Sequence, residues 1–73
     1  MKQLFYVEFV ITEIESDPPY AMQSACFDTK RKAKNWFRKH FDYVAPYVSV
    51  RLMSMDFNED ETEYEIGFVE DLN

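Results

Sequence analysis

One stretch of this chain carries a helical period. Ala33, Trp36, Phe37, His40 and Phe41 recur at i, i+3, i+4, i+7 and i+8, one apolar stripe on a helix expected from about Lys30 to Asp42. Asp28 and Thr29 precede it, and either side-chain oxygen can accept from a free N–H of the first turn. Pro46 ends it, because a proline pushes the residue before it, Ala45, out of the helical region. Everything on either side reads as strand or turn, so a single helix has to cover whatever sheet the rest forms.

Leu4 to Ile14 is rich in β-branched and aromatic residues and reads as a long strand. Phe5, Val7, Phe9 and Ile11 fall on one face; Tyr6, Glu8, Val10 and Thr12 fall on the other, which Glu8 marks as the solvent side. Ser16-Asp17-Pro18-Pro19 is a turn, since proline cannot sit inside a central ladder. Tyr20 to Phe27 reads as a second strand paired back on the first. Tyr47 to Phe57 is a third strand, Asn58 to Glu61 a polar turn, and Thr62 to Val69 a fourth strand with Tyr64, Ile66 and Phe68 on one face. Glu70 to Asn73 is an acidic tail expected to fray. The expected fold class is α+β, in the order ββαββ, with the helix packed on one face of a four-stranded, mostly antiparallel sheet. The expected core is Phe5, Val7, Phe9, Trp36, Phe37, Phe41 and Ile66.

The 73 residues leave room for one domain, 1–73. A domain this short buries only about 60% of the surface its unfolded chain exposes. Seven Phe, five Tyr and one Trp supply large apolar area in place of disulfides. Cys26 is the only cysteine, so no intrachain disulfide forms, and it reads as a small buried apolar side chain. A lone cysteine fits a reducing, cytoplasmic compartment. The apolar run Leu4 to Ile11 is broken by Glu8 and is too short for a signal peptide or for the roughly 20 residues of a membrane span.

Catalytic chemistry finds little to stand on. Cys26 and His40 form the only nucleophile–base combination, and His40 lies on the apolar stripe, where packing is its expected role. With one glycine the chain cannot build a phosphate loop, and two soft ligands fall short of the about four that a structural zinc site needs. Asp56-Phe57-Asn58-Glu59-Asp60 matches the first five positions of an EF-hand loop. The sixth should be Gly and is Glu61, the twelfth should be Glu and is Gly67, and the flanks are strands. The segment is therefore an acidic hairpin turn. A non-enzyme without cofactor or metal is expected.

Charge is the sharper signal. Net charge is −6, yet Lys30, Arg31, Lys32, Lys34, Arg38 and Lys39 hold six of the eight bases. Outside that segment fourteen acids face two bases, a net of −12, which disfavours nucleic-acid binding by the surface as a whole. Lys30, Arg31, Lys34 and Arg38 on the polar side of the helix form an alternative phosphate-binding face. Asp56, Glu59, Asp60, Glu61, Glu63, Glu65, Glu70 and Asp71 crowd the other end of the chain. Glu61, Glu63 and Glu65 are expected to share one strand face about 7 Å apart, a pitch that imitates successive phosphates on a nucleic-acid strand. The plainer reading is a charged edge strand that blocks aggregation. On the third strand, if Val48, Val50 and Leu52 face the helix, Met53, Met55 and Phe57 face away from it with Tyr6 and Val10, an uncovered patch of the kind that marks an interface. The alternative is a strand slipped by one residue, which exchanges both faces.

These features point to a protein-interaction module, a small acidic inhibitor or modulator of a nucleic-acid-handling protein with a basic groove. Short, acidic, aromatic and self-contained, the chain resembles phage-type anti-defence proteins in composition, and none of its motifs assigns it to a family. A homodimer through the exposed sheet face and a nucleic-acid binder using the helix are further expectations, the second less favoured. A membrane partner is not expected.

Overall fold

The computed structural model describes residues 2–11 and 21–73. The expected Ser16–Pro19 turn and the adjoining ends of two expected strands lie outside the described residues. The elements are β1 (Gln3–Ile11), β2 (Ala21–Gln23), α1 (Lys30–His40), β3 (Val48–Phe57) and β4 (Tyr64–Asp71). They form one antiparallel sheet in the order β2-β1-β3-β4 with one helix, an α+β fold of ββαββ order.

The helix starts where a cap is available. Thr29 has extended backbone, and its Oγ1 accepts from the Lys32 N–H at 3.1 Å. No acid lies in the first turn to complement the helix dipole. Asp28, just outside, pairs with Lys32 at 2.9 Å instead. The last turn carries Arg38, Lys39 and His40, which suit the negative end.

The helix lies over the two central strands. Phe5 and Val7 of β1, Val50 and Leu52 of β3, and Ala33 and Phe37 of α1 form the buried core. Phe9 and Trp36 pack against this core without being fully covered. Phe41 is 37% exposed, although its ring lies 4.9 Å from that of Phe9. Ile66 does not belong to the core: it stands opposite Met55, which points away from the helix, and it is half exposed. The register of the β3–β4 hairpin thus reverses the expected facing of β4.

Two further expectations are corrected. β2 stops after three residues because Ser24 takes over the ladder: its hydroxyl accepts from the Val7 N–H at 2.8 Å while its N–H donates to the Val7 carbonyl at 2.9 Å. The chain rejoins β1 only at Phe27, which exchanges both backbone hydrogen bonds with Phe5. The C-terminal tail is tied down. Glu70 and Asp71 belong to β4, Leu72 N–H donates to the Val50 carbonyl, and the Asn73 amide accepts from Val50 N–H and donates to the Val48 carbonyl. Asn73 pairs with β3 through its side chain as a strand pairs through its backbone.

Candidate interaction surface

α1 covers one face of the sheet, and the described residues place no element over the other. Opposed residues of an antiparallel pair share a face, so the registers assign the open face directly. Leu4 lies opposite Met55, Tyr6 opposite Met53, Met53 opposite Phe68, Met55 opposite Ile66, and Phe57 opposite Tyr64. Met53, Met55 and Phe57 are half-buried on this face, as their alternation on β3 predicts. Tyr64, Ile66 and Phe68 are 54%, 50% and 59% exposed. They complete a continuous apolar patch across β1, β3 and β4. Alternation in β4 revealed that these three share a face, but gave no sign of which one. The pairing of Phe57 with Tyr64 across the turn settles it, and their rings meet at 5.5 Å.

Tyr6, on central β1, is 4% exposed even though it faces the open side. Burial pushes its phenol above the ordinary range, and the nearby Glu8, Cys26 and Tyr64 push the same way. Cys26 is exposed, contrary to the buried role expected of it, with Sγ 3.7 Å from Met55 Sδ. Because β2 ends early, residue 26 follows a looser path than a paired strand would impose. Charge on this face is sparse and nearly balanced: Glu8 stands opposite Arg51 at 3.9 Å, Asp71 is Arg51's register partner on β4, and Lys2 Nζ lies 5.7 Å from the centre of the Phe57 ring.

The acidic tip closes the patch at one end. Asn58 organises the turn. Its Oδ1 accepts from the N–H groups of Thr62 and Glu63, its N–H donates to the Glu63 carbonyl, and its Nδ2 donates to Thr62 Oγ1. Thr62 Oγ1 in turn donates to Asp60. Without a glycine at the tip, Glu61 adopts the left-handed conformation, φ 58°. Glu61 is therefore a turn residue paired to Lys2 at 3.3 Å. The expected row of Glu61, Glu63 and Glu65 along one strand does not form. Glu63 precedes β4, and Glu65 lies opposite Asp56 on the helix side of the sheet. Asp56 accepts from Gln3 Nε2. Glu59, Asp60, Glu63 and Glu65 are exposed, and no cation among the described residues lies within ion-pairing distance of them. β4 is one of the two edge strands of the sheet, β2 being the other.

On the opposite face, Lys30, Arg31, Lys34 and Arg38 line a shallow depression with Asn35. Lys34 reaches Glu70 at 2.8 Å. That hydrogen bond, chiefly, holds the Glu70 carboxyl below its ordinary range, with help from Lys30 and Arg38. Part of the basic cluster therefore serves an internal acid.

Cys26 touches Met55 on the open face. His40 sits on α1, its ring 5.4 Å from that of Trp36 and its Nδ1 2.9 Å from the Trp36 carbonyl. The two lie on opposite sides of the sheet. Among the described residues no group of three or more His, Cys, Asp or Glu is placed to hold a metal, and no helix is long and apolar enough to cross a membrane. Fold and surface define a one-helix, open-faced α+β sheet with an apolar face and an acidic tip. No family model, curated protein or solved structure matches the chain.

Proposed function

We propose that this chain is a non-enzymatic protein-interaction module whose β3–β4 hairpin is the contact element. The observation that carries the reading is the open sheet face, where Tyr64, Ile66 and Phe68 stand half exposed beside Met53 and Met55. Apolar sheet faces of this extent are normally covered, and Met and aromatic residues are the types that interface cores favour. The acidic tip sets the sign of the partner. Asp56, Glu59, Asp60, Glu63 and Glu65 present carboxylates to solvent on a turn held by Asn58, which suits a protein with a basic, nucleic-acid-handling groove. The chain then acts as a small acidic modulator or inhibitor of that protein. Irregular carboxylate spacing makes the imitation one of charge and not of phosphate pitch.

The test replaces Glu59, Glu63 and Glu65 together by Gln. Wild type captures its partner from source-cell lysate, nucleic acid competes for the same groove, and binding weakens steeply with salt because exposed charges are screened over about 8 Å. The triple variant folds normally and loses the partner. Undiminished capture by the folded variant would make the carboxylates a solubility device of an edge strand.

One observation favours a second reading. Lys30, Arg31 and Arg38 have no carboxylate within 4 Å among the described residues, and they share a depression with Lys34. A nucleic-acid backbone is the corresponding ligand. Retention on immobilised DNA that Arg31→Glu with Arg38→Glu abolishes would support it over the first.

A further inference from the structure

We infer that a second copy of this chain covers the open sheet face, giving a two-fold dimer in which two sheets pack face to face with the helices outside. The inference rests on reading the hairpin as a contact element: the copy takes its apolar half and leaves the acidic tip free for the basic partner.

Area is the first argument. β1, β3 and β4 are 9, 10 and 8 residues long. At about 4.8 Å between strands and about 3.3 Å per residue they present a flat projection of roughly 400 Å². Side-chain relief raises the accessible area above that while Tyr6, already buried, adds little, so two copies bury on the order of 1,000 Å², the low end of specific interfaces. Charge is the second. The chain carries −6, yet its open face holds one acid–base pair, Glu8 with Arg51, with Asp71 beside it at a corner, and Lys2 over the Phe57 ring at the tip end, where it pairs with Glu61. A copy can approach this face without stranding a charge, and one apolar patch is complementary to itself across a two-fold axis. A strongly basic partner would find no unpaired acids in the middle of the patch to meet. The third is the position of Tyr64, Ile66 and Phe68. Stacked sheets interdigitate such side chains at about 10 Å separation.

The dimer has a signature that separates it from acid–base contacts. Like-charged protomers repel, and the screening length falls from about 30 Å at 0.01 M salt to about 3 Å at 1 M. Self-association therefore tightens as salt rises, whereas binding of a basic partner weakens.

The experiment is sedimentation velocity over a wide range of protein and salt concentrations, on wild type and Ile66→Lys, with circular dichroism to confirm that the variant folds. Wild type is expected to show a monomer–dimer equilibrium that salt strengthens. Ile66→Lys, which buries a lysine on the axis side of each protomer, is expected to weaken it by about 100-fold or more. A second measurement needs no variant. Alkylation of Cys26, exposed beside Met55 on the same face, slows as wild-type concentration rises. A monomer at every concentration, a dimer that salt weakens, a dimer that survives Ile66→Lys, or a concentration-independent Cys26 rate would each overturn the inference. The acidic-tip variant gives a separate readout: it dimerises normally even where partner binding is lost, so the two readings fail independently.

Discussion

Lys34 on α1 and Glu70 on β4 meet at 2.8 Å only because β4 carries a bulge between them and the turn. Leu52 faces Glu70 and Met53 faces Phe68, so Val69 is the extra residue. Were β4 paired regularly, Val69 would stand opposite Leu52 and Glu70 would follow Tyr64, Ile66 and Phe68 onto the open face. The bulge turns Glu70 toward the helix and Asp71 toward Arg51, which is what bulges do near strand ends. It also lets Val69 pack against the core.

The first prediction concerns that pair. Lys34 holds the folded-state carboxyl of Glu70 below its ordinary value. A depressed carboxyl contributes stability that is present above the unfolded value and is lost as pH falls through the folded one. Glu70→Gln is therefore expected to lower the melting temperature slightly at neutral pH, with the gap closing as the solution is taken from about pH 7 to about pH 2. Both groups are partly exposed, so the effect is small and shrinks in high salt. Melting curves of both proteins across that range check it.

The second concerns Gly67. A Cβ there would lie 2.9 Å from Ser54 Oγ, and Ser54 is buried. Its hydroxyl donates to the Gly67 carbonyl at 3.4 Å. Gly67→Ala is expected to cost about 1–3 kcal/mol through overpacking. In a Ser54→Ala background the same change is expected to cost much less, because the clashing atom is gone. A double-mutant cycle by urea unfolding measures the coupling directly.

The third separates the two faces. Leu52 is fully buried under α1, and Leu52→Ala is expected to cost about 2–5 kcal/mol. Ile66→Ala, on the open face, is expected to cost well under half of that for the monomer. Equal costs in dilute solution would mean that the open face is covered within the single chain.

Much of this architecture is legible in the sequence. The helix stripe and the alternation of β1 and β3 follow from period, which groups Met53, Met55 and Phe57 on one face. That this face is the open one is fixed by the pairing of Leu52 with Val7 and of Met53 with Tyr6. The acidic turn follows from composition. Three things do not. The facing of Tyr64, Ile66 and Phe68 depends on which residues pair across Asn58 to Glu63, a register that alternation leaves open. The bulge at Val69 breaks the period two residues after Gly67, and a lone strand glycine suggests a bulge without fixing its position. The ordering of Asn73 and the early end of β2 both arise from side chains, Asn73 and Ser24, standing in for backbone partners. The acidic site was legible as charge but not as shape, since its third dimension is set by Glu61 adopting φ 58°.

The last prediction uses Tyr6. It sits on central β1, 4% exposed, with its phenol raised first by burial and then by Glu8, Cys26 and Tyr64. A raised folded-state value means that the neutral phenol is favoured by the fold. Its stability contribution is complete below the ordinary value of 10.0 and is lost as pH rises through the folded value. In that window the unfolded chain ionises first and draws the equilibrium toward unfolding. Wild type is therefore expected to lose stability above pH 10 more steeply than Tyr6→Phe, which has nothing to ionise at this position. The difference between the ultraviolet titrations of the two proteins isolates the Tyr6 phenolate, and its midpoint is expected above 10.0. Because a second copy over the open face would bury the phenol further, that midpoint is also expected to climb with protein concentration. A midpoint at or below the ordinary phenol value would mean that water reaches Tyr6 freely and that the open face is looser than its packing implies.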